Sequence, residues 1–295
     1  MKRIAFTIVV LSIAVTSASD AQETLKVYIS ADLEGIAGVS TRMQTSPSGR
    51  EYEKFRRLMT LEVNAAVEGA FSAGATEVLV SDSHGNAENI DVELLDPRAR
   101  LTRGWPRPLG MVHGVDETFH AVVFVGYHAR EGDGPGVLAH TFTGGLDMDL
   151  NGEVASEATL SAAVAGHFGV PVVFLSGDQV IGADIRRQIG PIETVAVKEA
   201  IGYHAATMLH PEEARRRITA GVDKGIRRRS ELAPFVMDGA VTMTIRWEDP
   251  VMAEIVALMR GAERLDGRTT AFVGRDIIEA AEFFEVIHHI RPPGQ

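Results

Sequence analysis

Asp32 and Glu34 stand one residue apart at the end of the apolar run Leu25–Ile29, where a buried strand is expected to finish. In extended chain alternate side chains point the same way, so the two carboxylates share a face. Like charges that close repel, and the pair needs relief: one carboxyl kept protonated, a bound cation, or a solvated turn. Three later apolar runs also end in polar, ligand-capable groups. Thr76–Ser81 leads to Asp82-Ser83-His84, Ala121–Gly126 to Tyr127-His128-Ala129-Arg130, and Val170–Ser176 to Gly177-Asp178.

The chain has no cysteine, so thiolate chemistry and disulfides are excluded and any metal has to be held by His, Asp or Glu. Two histidines with two or three carboxylates suit zinc or a similar divalent ion, and a carboxylate lying between two ions would account for the crowding at Asp32 and Glu34. Singly, each residue has a plain structural explanation. A histidine after a strand is commonly a satisfied structural side chain, and Asp82 can cap a turn or orient a histidine ligand from behind. Joint placement at the ends of successive strands is what favours the metal. The remaining histidines, His113, His120, His167, His204, His210, His288 and His289, fall on helices or loops with no evident carboxylate partner and read as structural or surface residues.

The elements that must position these groups are legible from pattern. The four apolar runs, rich in β-branched residues and separated by helical stretches, predict an α/β fold with a mainly parallel sheet and helices on both faces. In such sheets ligands bind in the crevice beyond the carboxyl ends of the strands. Between them, Glu51–Ser72 carries a helical stripe of Phe55, Leu58, Met59, Val63, Ala66, Val67 and Ala70 closed by Gly74, and Ala155–Phe168 ends at Gly169. Beyond about residue 190 the texture changes to a strand at Thr194–Lys198, helices at Ile201–Leu209 and Pro211–Arg228, a strand Val241–Trp247, a helix Pro250–Arg260, a strand Thr269–Val273 and a last helix Ile277–His288. This predicts a metal-binding α/β domain over 25–185 and a C-terminal α+β domain over 190–295, with the boundary near Gly182–Gly190.

Lys2-Arg3, the apolar stretch Ile4–Val15 and the small residues Ala18 and Ala21 form the pattern of a secretory signal peptide over residues 1–21, too short to span a bilayer. The expected location is exported and periplasmic, with no membrane span after cleavage; the absence of cysteine fits a bacterial periplasm. Removing Lys2, Arg3 and Asp20 takes the formal charge from −11 to −12. That balance argues against nucleic acid, and Arg215–Arg217 and Arg227–Arg229 lie among acids on a helical segment as a solvated face.

Asp-Leu-Glu-Gly at 32–35, the run from Asn64 to His84, Val-Gly-Tyr-His-Ala-Arg at 125–130, Leu-Ala-His-Thr at 138–141 and the stretch from Ser156-Glu157 to Gly177-Asp178 together resemble the DppA-type D-aminopeptidases, a family of zinc metallopeptidases. The similarity runs from about Leu25 past Lys198. It implies two zinc ions per subunit held by Asp32, Glu34, His84, His128 and Glu157, with Asp32 as the shared ligand and His140 as the catalytic residue: general base, general acid or nucleophile. Glu157 and His140 come from the resemblance alone, since pattern reads the first as a first-turn charge and the second as a loop residue. The resemblance also implies short peptides with an N-terminal D-amino acid, such as D-Ala-D-Ala, as substrates, and a ring-shaped homo-oligomer. Two other classes fit the same donors: another binuclear metallohydrolase, an amidase or a phosphoesterase, or an exported metal- or peptide-binding protein without turnover. This chain departs from the family in its leader and in having Gln179 where relatives often carry a second acid.

Overall fold

The computed structural model describes residues 24–290, so the expected signal peptide over 1–21 lies outside the described residues. Its strands are β1 (Lys26–Ala31), β2 (Glu77–Asp82), β3 (Ala99–Thr102), β4 (Ala121–Val125), β5 (Leu146–Leu150), β6 (Glu153–Ala155), β7 (Val172–Asp178), β8 (Glu193–Gly202), β9 (Ala205–Met208), β10 (Val241–Trp247), β11 (Ala262–Arg264) and β12 (Thr269–Gly274). The helices are α1 (Arg42–Thr45), α2 (Tyr52–Ser72), α3 (Glu157–His167), α4 (Gln179–Ile189), α5 (Pro211–Arg227), α6 (Pro250–Val256) and α7 (Ile277–His288).

The main sheet has the order β3-β2-β1-β4-β7-β8-β9 and is parallel except for the β8–β9 hairpin at its edge. Every residue of β4 and β7 is buried, so both faces of the sheet are covered there, as the unbroken apolar runs require. Helix α2 turns Phe55, Met59, Val63, Ala66, Val67 and Ala70 inward. Each of its larger apolar side chains contributes roughly 1.5–3 kcal/mol on burial. Gly74, at φ +99°, closes the helix.

The second sheet is antiparallel, β11-β12-β10-β5-β6, with α6 and α7 packed against it. The boundary expected near 182–190 does not separate the two sheets. β8 and β9 continue the first sheet after it, while β5 and β6 join the second from well before it. Hydrogen-bonded partners remote in sequence, invisible to local composition, set this division. A second correction concerns Ile201–Leu209, expected as a helix: Ala205–Met208 folds back on β8 as a strand, because pairing at the sheet edge outweighs weak local propensity. The helix from Pro250 also stops at Val256, short of Arg260.

Strand order determines where a ligand can sit. The chain runs from β1 outward to β2 and β3, then crosses to β4 on the other side of β1, so the connections diverge between β1 and β4. There the loops after the two strands pack backbone to backbone: Asp32 N donates to Val125 O at 2.8 Å and Gly35 N to Gly126 O at 2.7 Å. A Cβ on Gly35 would lie 2.0 Å from Tyr127 O, and one on Gly126 would lie 2.2 Å from Asp32 O. Gly35→Ala is therefore expected to cost at least ~2 kcal/mol and to lower metal content with it; a variant of unchanged urea midpoint and full metal uptake would contradict the packing argument.

Candidate metal centre

Three of the four polar strand ends converge. Beyond β1 lie Asp32 and Glu34, beyond β2 lies His84, and beyond β4 lies His128; Glu157, the first residue of α3, joins them, and all five are buried. His84 Nδ1 is 3.1 Å from Asp32 Oδ1 and 2.8 Å from Glu34 Oε2. His128 Nε2 is 3.2 Å from Asp32 Oδ2 and 3.5 Å from Glu157 Oε1. Asp32 thus faces both imidazoles, one with each oxygen. The donors form two groups, Asp32-Glu34-His84 and His128-His140-Glu157, each with ligand atoms within 4.8 Å of one another.

Each imidazole is oriented through its other nitrogen. His84 Nε2 lies 2.9 Å from Thr45 O, His128 Nδ1 2.9 Å from Ala129 O, and His140 Nδ1 2.7 Å from Leu138 O. A backbone carbonyl can only accept, so these hydrogen bonds put a proton on the pinned nitrogen and leave the other lone pair for the site. The His140 ring stacks on His128, centroids 4.1 Å apart.

The residues fit a divalent cation. Asp32 Oδ2 and Glu34 Oε2 are buried without a hydrogen-bond partner although imidazole nitrogens lie close by. Contacts short in distance but wrong in direction are what side chains aimed at a common point produce, and zinc accepts this N/O donor set. Electrostatics agree. Burial alone would raise the Asp32 carboxyl, but the His128 and His84 imidazoles beside it hold it well below the usual carboxylate range. Burial alone would lower the two imidazoles, yet Glu34 and Asp32 beside His84, and Glu157 and Asp32 beside His128, raise both well above the ordinary histidine value. The site is built to hold positive charge.

Neighbouring groups keep these ligands in place. Lys198 of β8, itself buried, donates from Nζ to Glu34 O at 2.6 Å and Val39 O at 2.7 Å. Glu62 of α2 accepts from Ala37 N at 2.9 Å. The Glu157 carboxylate accepts from Phe142 N at 2.5 Å. Asp82, offered by sequence as an orienter of a histidine, touches none: it accepts from Asn89 N, Asn89 Nδ2 and Ile90 N, and Asn89 Nδ2 also donates to His84 O. It shapes the loop that carries His84. Asp178 caps α4 and accepts from Val137 N. Arg130 Nη1 donates to Glu131 O.

Asp32, His84, His128, His140 and Glu157 open into a cavity of about 270 Å³ whose other walls include Trp105, Met111, Phe142, His288 and His289, while Glu34 lines a neighbouring one together with His84 and His140. A larger cavity of about 600 Å³ adjoins it and shares Thr143 and His288. His288, the last residue of α7, and His289, its cap, were expected to be structural or surface residues without a carboxylate partner. They line the candidate cavity instead, and Glu285, one turn back, is their acid. Residues at the far end of the chain carry no local mark of reaching β1, so only spacing within Glu285–His289 could have drawn notice.

Two outcomes follow. Because Asp32 alone faces both histidines, Asp32→Ala should lower metal content after dialysis more than Glu34→Ala or Glu157→Ala, as read by atomic emission. Burial pushes the Glu62 carboxyl up to about 7. The native state then keeps this proton over a window where the unfolded chain has lost it, and stability falls as pH rises from the ordinary glutamate value through about 7. Glu62→Gln removes that loss, so its stability relative to the parent should rise between about pH 5 and about pH 8 in urea titrations; a constant difference would assign the burial no linkage.

Known proteins give this geometry its context. A family model described as D-aminopeptidase matches residues 25–286. A D-aminopeptidase of Bacillus subtilis (strain 168) is 36% identical over 258 residues, 87% of this chain and 94% of the relative. A solved structure described as the zinc-dependent D-aminopeptidase DppA from Bacillus subtilis, a self-compartmentalizing protease, superposes with a TM-score of 0.87 at 34% identity, covering 89% of this chain and 96% of that one. With a match over nearly its whole described length and the strand-end donors gathered in one cavity, the chain belongs to the D-aminopeptidase family and is a peptidase.

Proposed function

We propose that this protein is a zinc-dependent aminopeptidase that hydrolyses short peptides bearing an N-terminal D-amino acid, such as D-Ala-D-Ala, with two zinc ions per subunit. The observation that carries this reading is Asp32 set between His84 and His128 with one oxygen toward each. One ion would be held by Asp32, Glu34 and His84, the other by Asp32, His128 and Glu157. The shared carboxylate also answers the crowding of acids after β1, since two cations offset their repulsion. When bound, such a pair polarises the scissile carbonyl and supplies a water nucleophile at neutral pH.

The chain's own residues supply the rest. His140 is held by Leu138 O at Nδ1 and stacked on His128, which leaves Nε2 to exchange a proton with the reacting groups. Phe142 and Trp105 give the cavity an apolar wall beside the carboxylates and imidazoles. No lysine or arginine lines this cavity among the described residues, and Arg42 lines the neighbouring one beside Glu34, His84 and His140. D-configuration is supported by the relatives, both named D-aminopeptidases.

Export to a periplasm is part of the proposal and rests on the residue pattern of 1–21; D-peptides released from the cell wall would be the substrates there. No described helix is long and apolar enough to cross a membrane. A ring of identical subunits is also proposed, on the strength of the relative described as self-compartmentalizing.

Purified protein with zinc should release D-alanine from D-Ala-D-Ala while leaving L-Ala-L-Ala largely intact. Equal rates would remove the stereochemical claim; release from neither would remove the peptidase claim. His140→Ala should keep its zinc and lose about a hundredfold or more in kcat. Loss of zinc in that variant would make His140 a ligand.

A further inference from the structure

Glu285, His288 and His289 occupy the last turn of α7 and its cap, at i, i+3 and i+4, and so share one face. Their ligand atoms lie within 4.8 Å of one another. His289 Nε2 is 3.0 Å from Glu285 Oε1; His288 Nδ1, 3.7 Å from Glu285 Oε2, donates to Phe284 O at 3.2 Å, which leaves Nε2 as the lone-pair nitrogen of that ring. The two imidazole rings are in contact, centroids 4.0 Å apart. His288 and His289 line the cavity that holds Asp32, His84, His128 and Glu157, yet none of the three belongs to that ligand set.

Ordinary helix-end chemistry explains part of this. A glutamate pairs with a histidine one turn on, and imidazolium suits a helix C-terminus. It does not explain why the carboxylate is buried. Glu285 accepts from Arg107 N at 3.1 Å, but the Arg107 guanidinium is spent elsewhere, on Ser81 Oγ and Asp82 O. A buried carboxylate beside two imidazoles, open on the side of the His289 ring (34% exposed), offers three of the four donors of a tetrahedral zinc shell with a route for the ion to enter.

We infer that Glu285, His288 and His289 form a separate divalent-cation site on the wall of the active-site cavity, and that an ion held there obstructs the cavity. Three donors from a single turn, one of them shared with a backbone N–H, bind more weakly than donors gathered from several strands. The site therefore fills only when zinc exceeds what the strand-end centre takes up, and it acts as an inhibitory brake at high zinc.

The test begins with zinc titrated by calorimetry into full-length protein already loaded at its tight centre. The parent should take up one further, weaker equivalent; His289→Ala, a change at a partly exposed side chain, should lack it and keep the tight ions. Glu285→Gln should behave as His289→Ala does. Cobalt in place of zinc adds a visible spectrum, expected to show a second absorbing species in the parent only. Identical weak isotherms and spectra in parent and His289→Ala would overturn the site. The obstruction arm rests on the aminopeptidase reading, whereas the binding arm does not. D-Ala-D-Ala turnover should fall severalfold as the weak site fills in the parent and hold steady in His289→Ala. A parent that binds the extra equivalent at undiminished turnover would overturn the brake and leave the site.

Discussion

Charge compensation at Asp32 governs the organisation of this protein. A carboxylate buried between two imidazoles, with a second carboxylate beside each, is stable only where positive charge balances it, either as protons on His84 and His128 or as cations. Protons and metal compete for the same lone pairs. The carbonyls of Thr45 and Ala129 decide which nitrogen of each ring takes part, so the tautomer is set by backbone geometry before any ion arrives.

Such a site needs rigid placement, and the fold supplies it by close approach of main chain. Gly35 and Gly126 let the loops after β1 and β4 touch without side chains between them, which brings Asp32 to His128. Lys198 and Glu62 then hold the loop that carries Glu34, both at the cost of burial: the lysine is lowered to about 8 and the glutamate raised to about 7, against the usual values of their kinds. Two buried titratable groups, one from β8 and one from α2, thus converge on this short loop to fix its position.

The second sheet completes the cavity rather than the ligand set. β10 and β12 support α7, whose final turn and cap bring His288 and His289 up to the mouth beside Trp105 and Phe142. The part of the chain that looked like an independent α+β unit is therefore one wall of the active site, tied to the first part through β5 and β10.

The sequence by itself determined the buried strands, the polar groups at their ends and the α2 stripe, and through resemblance it proposed Asp32, Glu34, His84, His128 and Glu157 as ligands and His140 as the catalytic residue. These are local signals: period, strand length, residue type and motif order. It did not reveal the strand order that makes the crevice, the hairpin at Ala205–Met208, the true partners of Asp82, or the arrival of His288 and His289 at a cavity lined by Asp32, His84, His128 and Glu157, far earlier in the chain. Those were decided by tertiary structure, because a contact between remote segments is a property of how the whole chain packs and leaves no trace in the spacing of either segment.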